Sequence, residues 1–272
     1  MTYSGRFGSS NSAAARQAGR LVINADDWGR SLETTAKILD CVRYGSVSAV
    51  SAMVFMEDSE RAAEVALALD IDVGLHLNLT TPFSSRESST RLTEHHNRLV
   101  GYFSRSRFNR AIFNPLLADS FRYVVRCQLD EFERLYGRAA CRVDGHHHMH
   151  LCSNVIVQRL LPYGALVRRN LSFEPGEKGR LNILYRTFVD RILAKRHTLH
   201  DFFFSLVPLQ PRDRLENIIS LASQHAVEIE THPINAAEYA FLMADDVPVL
   251  TAKFHLPFPL LVVKRQGIAS RV

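Results

Sequence analysis

Short apolar runs alternate with longer stretches of helical period along most of this chain. Leu21-Val22-Ile23 is a run of the buried-strand kind and leads straight into Asn24-Ala25-Asp26-Asp27 and a turn at Gly29. Ser31 then stands where a helix cap is needed. The apolar positions Leu32, Ala36, Leu39 and Val42 keep the helical period, and Gly45 stops the helix. The same alternation predicts a strand over 47–55, a helix over 59–69 opened by Asp58 or Ser59, and a strand over 71–77 that carries His76. A long helix follows Asn114-Pro115, where proline suits the first helical position. Its stripe is Leu117, Phe121, Val124, Val125, Phe132 and Leu135, and Gly137 ends it. Beyond it the pattern predicts a strand around Arg142-Val143, a helix over 154–161, an extended segment at 165–168 and a basic amphipathic helix over 181–195. A strand over 201–207, a helix over 211–224 and a strand over 227–231 complete the series. Strands alternating with helices of this length indicate parallel βαβ units in an α/β fold.

The period is lost between Thr81 and Asn114, where Ser, Arg, Thr and Asn dominate, so a long loop insertion is expected around 83–113. Residues 1–20, rich in Ser, Ala and Arg and without an apolar run, read as a flexible tail and not as a secretory signal. A single domain over 21–272 is expected.

Composition narrows the function classes. With 46% hydrophobic residues in 272, the chain can build a real core, and disorder is not its dominant state. The net charge of +5 is spread along the chain, with local excess at 105–110 and 186–196. No nucleic-acid-binding module accompanies it, so it reads as solvated surface, with no nucleic-acid partner. Cys41, Cys127, Cys141 and Cys152 show neither a C-x-x-C pair nor zinc-finger spacing; free thiols in a reducing, cytoplasmic setting are expected. No apolar run approaches the roughly 20 residues a spanning helix requires. The apolar segment 256–263, flanked by Lys253, Lys264 and Arg265, reads as a packing element in preference to a dimer contact or a membrane-surface patch.

The polar residues of interest fall just after strands, where α/β barrels gather their active sites. Adjacent Asp26 and Asp27 can divide roles, one binding a cation and the other accepting a proton, or they can form a turn and cap the next helix. His76, between leucines, suits either a hydrogen-bonded core residue or a metal ligand. The cluster Asp144-Gly145-His146-His147-His148-Met149-His150 says more. If its strand stays extended past Val143, Asp144, His146, His148 and His150 share one face and His147 takes the other. Burying several imidazoles without a cation would cost roughly 1–3 kcal/mol for each unsatisfied group; the competing reading is an exposed histidine-rich loop. His232-Pro233 closes a late strand, where the histidine is either structural or faces Asp26 across a shared pocket.

At these residues the chain resembles the YdjC family of carbohydrate deacetylases, which includes the chitooligosaccharide deacetylases. The similarity rests on Asn24-Ala25-Asp26-Asp27-Trp28-Gly29, where the family usually has Phe in place of Trp28. It continues through Gly74-Leu75-His76-Leu77-Asn78-Leu79-Thr80, the 144–150 cluster and Thr231-His232-Pro233, and thins after Glu238. The resemblance implies an irregular (β/α) barrel related to polysaccharide deacetylases. It implies a divalent cation on Asp27, His76 and His146, with Mg²⁺ favoured and Zn²⁺ the alternative, Asp26 as base and His232 as acid. The reaction implied is hydrolysis of an N-acetyl group on a sugar, oligosaccharide or glycoconjugate, with His148, His150 and Arg168 as substrate contacts and a homodimer as a possible assembly. A metal-dependent hydrolase of another bond, such as a phosphoester, and a carbohydrate-binding barrel without turnover stand as alternatives.

Overall fold

Among the described residues, seven parallel strands make one sheet: β1 (Arg20–Trp28), β2 (Ala49–Ala52), β3 (Val73–Leu77), β4 (Arg142–Gly145), β5 (Leu166–Val167), β6 (Phe202–Ser205) and β7 (Ala226–Thr231), in the spatial order β5-β4-β3-β2-β1-β7-β6. The structure, a computed structural model, describes residues 20–85, 88–172, 179–254 and 256. The helices are α1 (Leu32–Tyr44), α2 (Ser59–Ala68), α3 (Thr90–Arg105), α4 (Ala118–Tyr136), α5 (Ser153–Val157), α6 (Arg180–Leu193), α7 (Arg212–Leu221), α8 (Ala236–Leu242) and α9 (Asp246–Lys253). Beyond β5, the Ser172 N–H donates to Phe203 O at 2.7 Å, and Leu166 bridges Thr198. The two sheet edges are thereby drawn toward each other, and the open sheet curls into a half-barrel of the irregular (β/α) kind.

The two faces of the sheet differ in chemistry. One carries Ile23, Ala25, Val50, Leu75, Val143, Val167, Val227 and Ile229, all in the main hydrophobic core beneath the helices. The other carries Asn24, Asp26, Ser51, His76, Arg142, Asp144, Glu228 and Glu230, all buried. Period-two alternation separates the sets, and register aligns them, with His76 opposite Asp144 and Asn24 opposite Glu230. Low on this polar face Arg142 lies across three strands. Its Nη2 donates to Val50 O at 2.9 Å and its Nη1 to Asn24 Oδ1. Gly74 makes room for it, since a Cβ there would come within 3.0 Å of Arg142 Cζ and of its carbonyl oxygen.

One expectation is corrected. The stretch expected to be an irregular loop contains α3, capped by Ser89, whose Oγ accepts from Leu92 N at 3.2 Å. Its inward face is Leu92, His96, Leu99 and Phe103. His96 is a core residue here: its ring stacks on Phe83 with centroids 3.7 Å apart, Nε2 meets Asn78 O at 3.2 Å, and burial holds it neutral, down at about 4. A histidine doing the work of an apolar residue hid the helical period. The expected tail and most of the 256–263 segment lie outside the described residues. Among those described, no helix is long and apolar enough to cross a membrane.

Candidate active site

Strict alternation would send neighbouring Asp26 and Asp27 to opposite faces. Here the pairing of β1 with β2 slips between Ala25 and Trp28, and Asp27 adopts a left-handed backbone with φ 71°. This conformation is uncommon outside glycine but more accessible to aspartate than to most residues, and the bulge re-aims its side chain. Both carboxylates consequently flank the ring of His76: Asp27 Oδ1 lies 3.5 Å from Nε2, and Asp26 Oδ2 lies 3.9 Å from Nδ1. Trp28 turns into the core, and its indole N–H donates to Ala62 O at 3.1 Å.

His76 is oriented from behind. Its Nδ1 meets Asp144 Oδ1 at 2.7 Å, while Asp144 Oδ2 accepts from Ser51 Oγ at 2.6 Å and forms an ion pair with Arg168 Nη2 at 2.8 Å. With Nδ1 donating to Asp144, Nε2 is the nitrogen that can offer a lone pair to a cation once its own proton is displaced, and a carboxylate behind the ring is how metal-bound histidines are commonly oriented. His146 Nδ1 stands 2.9 Å from Asp27 Oδ1 without hydrogen-bond alignment. Asp27 Oδ2 is taken by Arg30 at 2.8 Å. The result is three buried atoms without hydrogen-bond partners, Asp27 Oδ1, His76 Nε2 and His146 Nε2. Asp27, His76 and His146 can each offer one donor atom within 4.8 Å of the others. Buried polar atoms without partners are costly, and a divalent cation held by these three residues would relieve that cost, so the residues fit a metal. A second grouping, Asp26, His76 and Asp144, meets the same distance test. There the positive charge is already supplied by the protein, because the Arg168 guanidinium bonds both carboxylates.

Arg168 is the electrostatic centre beneath the site. It is only 2% exposed, and its Nη1 and Nη2 donate to Asp26 at 2.7 and 2.8 Å. Nη2 also reaches Asp144, Nε donates to Glu228 Oε1 at 2.7 Å, and Nη1 lies 3.4 Å from Glu230 Oε2. Of the five N–H donors of a guanidinium, four hydrogen-bond to carboxylates, and Asp144 adds an ion pair. Arg168, expected as a sugar contact, is placed by the fold among the carboxylates, which take its hydrogen bonds and ion pairs. Although burial favours the neutral acid, Arg168 and His76 hold Asp26 far below the ordinary carboxylate range. Glu230 has the longest contact with Arg168, and burial pushes its carboxyl upward.

The histidine cluster departs from the extended geometry expected of it. β4 ends at Gly145, and His146–Leu151 forms a 3-10 segment interrupted by left-handed His147 and His148, at φ 54° and 58°. Four different environments replace the shared face. His146 enters the group of orphaned donors. His147 is exposed and meets Thr80 Oγ1 at 3.0 Å. His148 is one third exposed, 3.7 Å from Glu230 Oε1, and burial together with Arg168 holds it neutral at about 3. His150, expected as a substrate contact, is fully buried with Nε2 2.9 Å from Arg168 O, where it braces the end of β5. Gly145 permits this fold-back, since a Cβ there would sit 2.9 Å from His150 N.

His232 comes from the end of β7 and is one third exposed, its Nε2 3.9 Å from Asp26 Oδ2. Buried Glu238 staples the turn that carries it, accepting from the His232 N–H at 2.8 Å, Thr231 Oγ1 at 2.7 Å and Asn235 Nδ2 at 2.8 Å. Sequence reasoning did not single out Glu228, Glu230, Glu238, Asn24 or Ser51 as parts of the site. The one available signal was a pair of acids at alternate positions inside the otherwise apolar run Val227-Glu228-Ile229-Glu230.

A family model described as YdjC-like protein matches residues 20–250. A chitooligosaccharide deacetylase of Proteus mirabilis (strain HI4320) is 32% identical over 185 residues, which are 66% of this chain and 62% of that protein. One of Enterobacter sp. (strain 638) is 32% identical over 134 residues, 48% of this chain and 50% of that protein. The chain thus spans between half and two thirds of the length of these curated relatives. Among solved structures, an Enterococcus faecalis V583 protein described as a proposed cellobiose-phosphate cleavage protein superposes with a TM-score of 0.64 at 16% identity, covering 88% of this chain and 96% of that one. This likeness shows a shared fold.

Proposed function

The chain belongs to the YdjC-like family, and on that premise we propose that it is a metal-dependent deacetylase that removes the N-acetyl group from a sugar, oligosaccharide or glycoconjugate. The observation that carries this reading is the buried cluster of Asp27, His76 and His146, each with a side-chain atom that lacks a hydrogen-bond partner and each able to offer one donor atom within 4.8 Å of the others, beside the ionised Asp26. A divalent cation held by these residues would supply Lewis acidity toward an acetamide carbonyl and make water a nucleophile at neutral pH. Two imidazoles and a carboxylate accommodate Zn²⁺ as well as the Mg²⁺ that the resemblance implies.

The chain's own groups divide the proton traffic. Asp26 is fixed by Arg168 and by Asn24 Nδ2 at 2.7 Å, and its Oδ2 edge is the one nearest His232. There it takes a proton from the attacking water. His232, on the more exposed side, donates one to the departing sugar amine, which leaves poorly unprotonated. His148, partly exposed beside the pocket, contacts the sugar.

Acetate release from diacetylchitobiose or another N-acetyl glycan, abolished by EDTA, is the expected result; acetate silence across a broad glycan panel with phosphate release in its place would refute the reading. His76→Ala and His146→Ala should each reduce the metal content of the purified protein to background. Unchanged metal content in both would remove the metal site.

Metal uptake should also depend on pH. Burial works against a charged His76, yet Asp26 and Asp144 outweigh it and hold the imidazole up at about 9 in the ion-free protein. A cation must displace that proton. Affinity is therefore expected to rise about tenfold per pH unit through the neutral range and to level off near pH 9. Calorimetry in buffers of different ionisation enthalpy should register about one proton released per ion. An affinity flat across the neutral range would contradict the assignment of His76.

A further inference from the structure

Among the described residues, fifteen large apolar side chains stand exposed, and eight of them sit in two places: the 107–117 segment and α6. Leu116, Leu184, Phe108 and Phe188 are 91, 65, 63 and 60% exposed. The two stretches face each other. A cleft of about 110 Å³ has Arg110 on one wall and Asn182, Tyr185 and Arg186 of α6 on the other, and it is also lined by His148, the neighbour of Glu230 in the active site.

The charges interleaved with these apolar side chains are basic. From Arg98 to Leu117 the chain contains Arg98, Arg105, Arg107 and Arg110 and no acidic residue; from Asn182 to Val189 it contains Arg186 and no acidic residue. Arg105, Arg107 and Arg110 are exposed, and Arg107 lies over the Phe108 ring at 5.1 Å. Burial and the nearby charge of Arg110 both push Arg186 down, which marks the two guanidinium groups as close neighbours. Contiguous exposed apolar side chains signal an interaction surface. The interleaved arginines select its partner. A second copy meeting this face about a two-fold axis would set its arginines against one another. A bilayer rich in anionic lipid suits both features, since apolar tips enter the acyl boundary while guanidinium groups stay at the level of the phosphates.

We propose that this face docks on an anionic lipid bilayer, with Phe108, Leu116, Leu184 and Phe188 inserted and Arg105, Arg107 and Arg110 on lipid phosphates. The cleft then opens at headgroup level. Resting on the deacetylase reading, the substrate class that this orientation favours is an N-acetyl sugar carried on a membrane-anchored molecule.

The test is co-sedimentation of the purified full chain with vesicles of phosphatidylcholine alone or mixed with phosphatidylglycerol. Binding is expected on the mixed vesicles, weaker on phosphatidylcholine and weakened by salt. Leu184→Asp with Phe188→Asp, and separately Arg105→Glu with Arg107→Glu, should each lower partitioning about tenfold or more with unchanged circular dichroism. Absence of wild-type binding overturns the proposal. So does binding indifferent to both double variants, which would place the contact elsewhere in the chain, and so does self-association through this face that excludes vesicles. Vesicle binding is read without turnover, so its failure leaves the deacetylase reading standing, and a silent acetate assay leaves the docking surface standing.

Discussion

Asp26→Asn is expected to lower the rate of acetate release by about 10²–10⁴-fold, the usual worth of a positioned acid or base, while metal content stays at the wild-type level. The separation of the two readouts follows from the geometry. Asp26 is not one of the three orphaned donors; its oxygens are occupied by Arg168 and Asn24, and only the Oδ2 edge turns toward His232. Asparagine preserves the shape of the side chain and removes the charge and the basicity. Alanine is the poorer probe, because it would strip Arg168 of two hydrogen bonds and confound chemistry with stability. Turnover and bound metal are to be measured on the same preparation. A variant that loses metal along with activity would move Asp26 into the ligand set, and one that keeps near-normal turnover would end its assignment as base.

Arg168→Met should be the most damaging single change to stability, at about 3–5 kcal/mol, the range for removing one partner from a buried ion pair. Domains of this kind are stable by about 5–15 kcal/mol, so the loss is a large share of the total. Four carboxylates, Asp26, Asp144, Glu228 and Glu230, all buried, share this guanidinium. Methionine fills a similar volume and leaves them facing one another. Arg168→Lys should recover only part of the loss, because an ammonium has three donors and cannot reproduce the planar fork that bonds several carboxylates at once. Urea unfolding followed by circular dichroism reads the difference; a cost below about 1 kcal/mol would show that the carboxylates find other relief.

Much of the fold was legible from periodicity, because parallel strands buried on both faces and amphipathic helices leave strong marks. Where that failed, a specific residue explains it. In α3 the inward face is Leu92, His96, Leu99 and Phe103, and the imidazole at its centre reads as polar although it packs as a core residue. In the 144–150 cluster the extended continuation broke down because His147 and His148 are left-handed, a conformation the sequence does not announce in histidine.

Order and spacing of the motifs were enough, by themselves, to determine the α/β class, the family, and that Asp26, Asp27, His76, His146 and His232 stand at or near strand ends. Only the tertiary structure decided which atoms meet. A bulge in β1 brings two adjacent carboxylates to one ring, a kink sends four adjacent histidines to four environments, and a buried arginine gathers carboxylates from β1, β4 and β7. The reason is physical. Residue type and period are properties of a segment, whereas the pairing of a buried charge, and the orphaning of a lone pair, depend on neighbours that come from elsewhere in the chain.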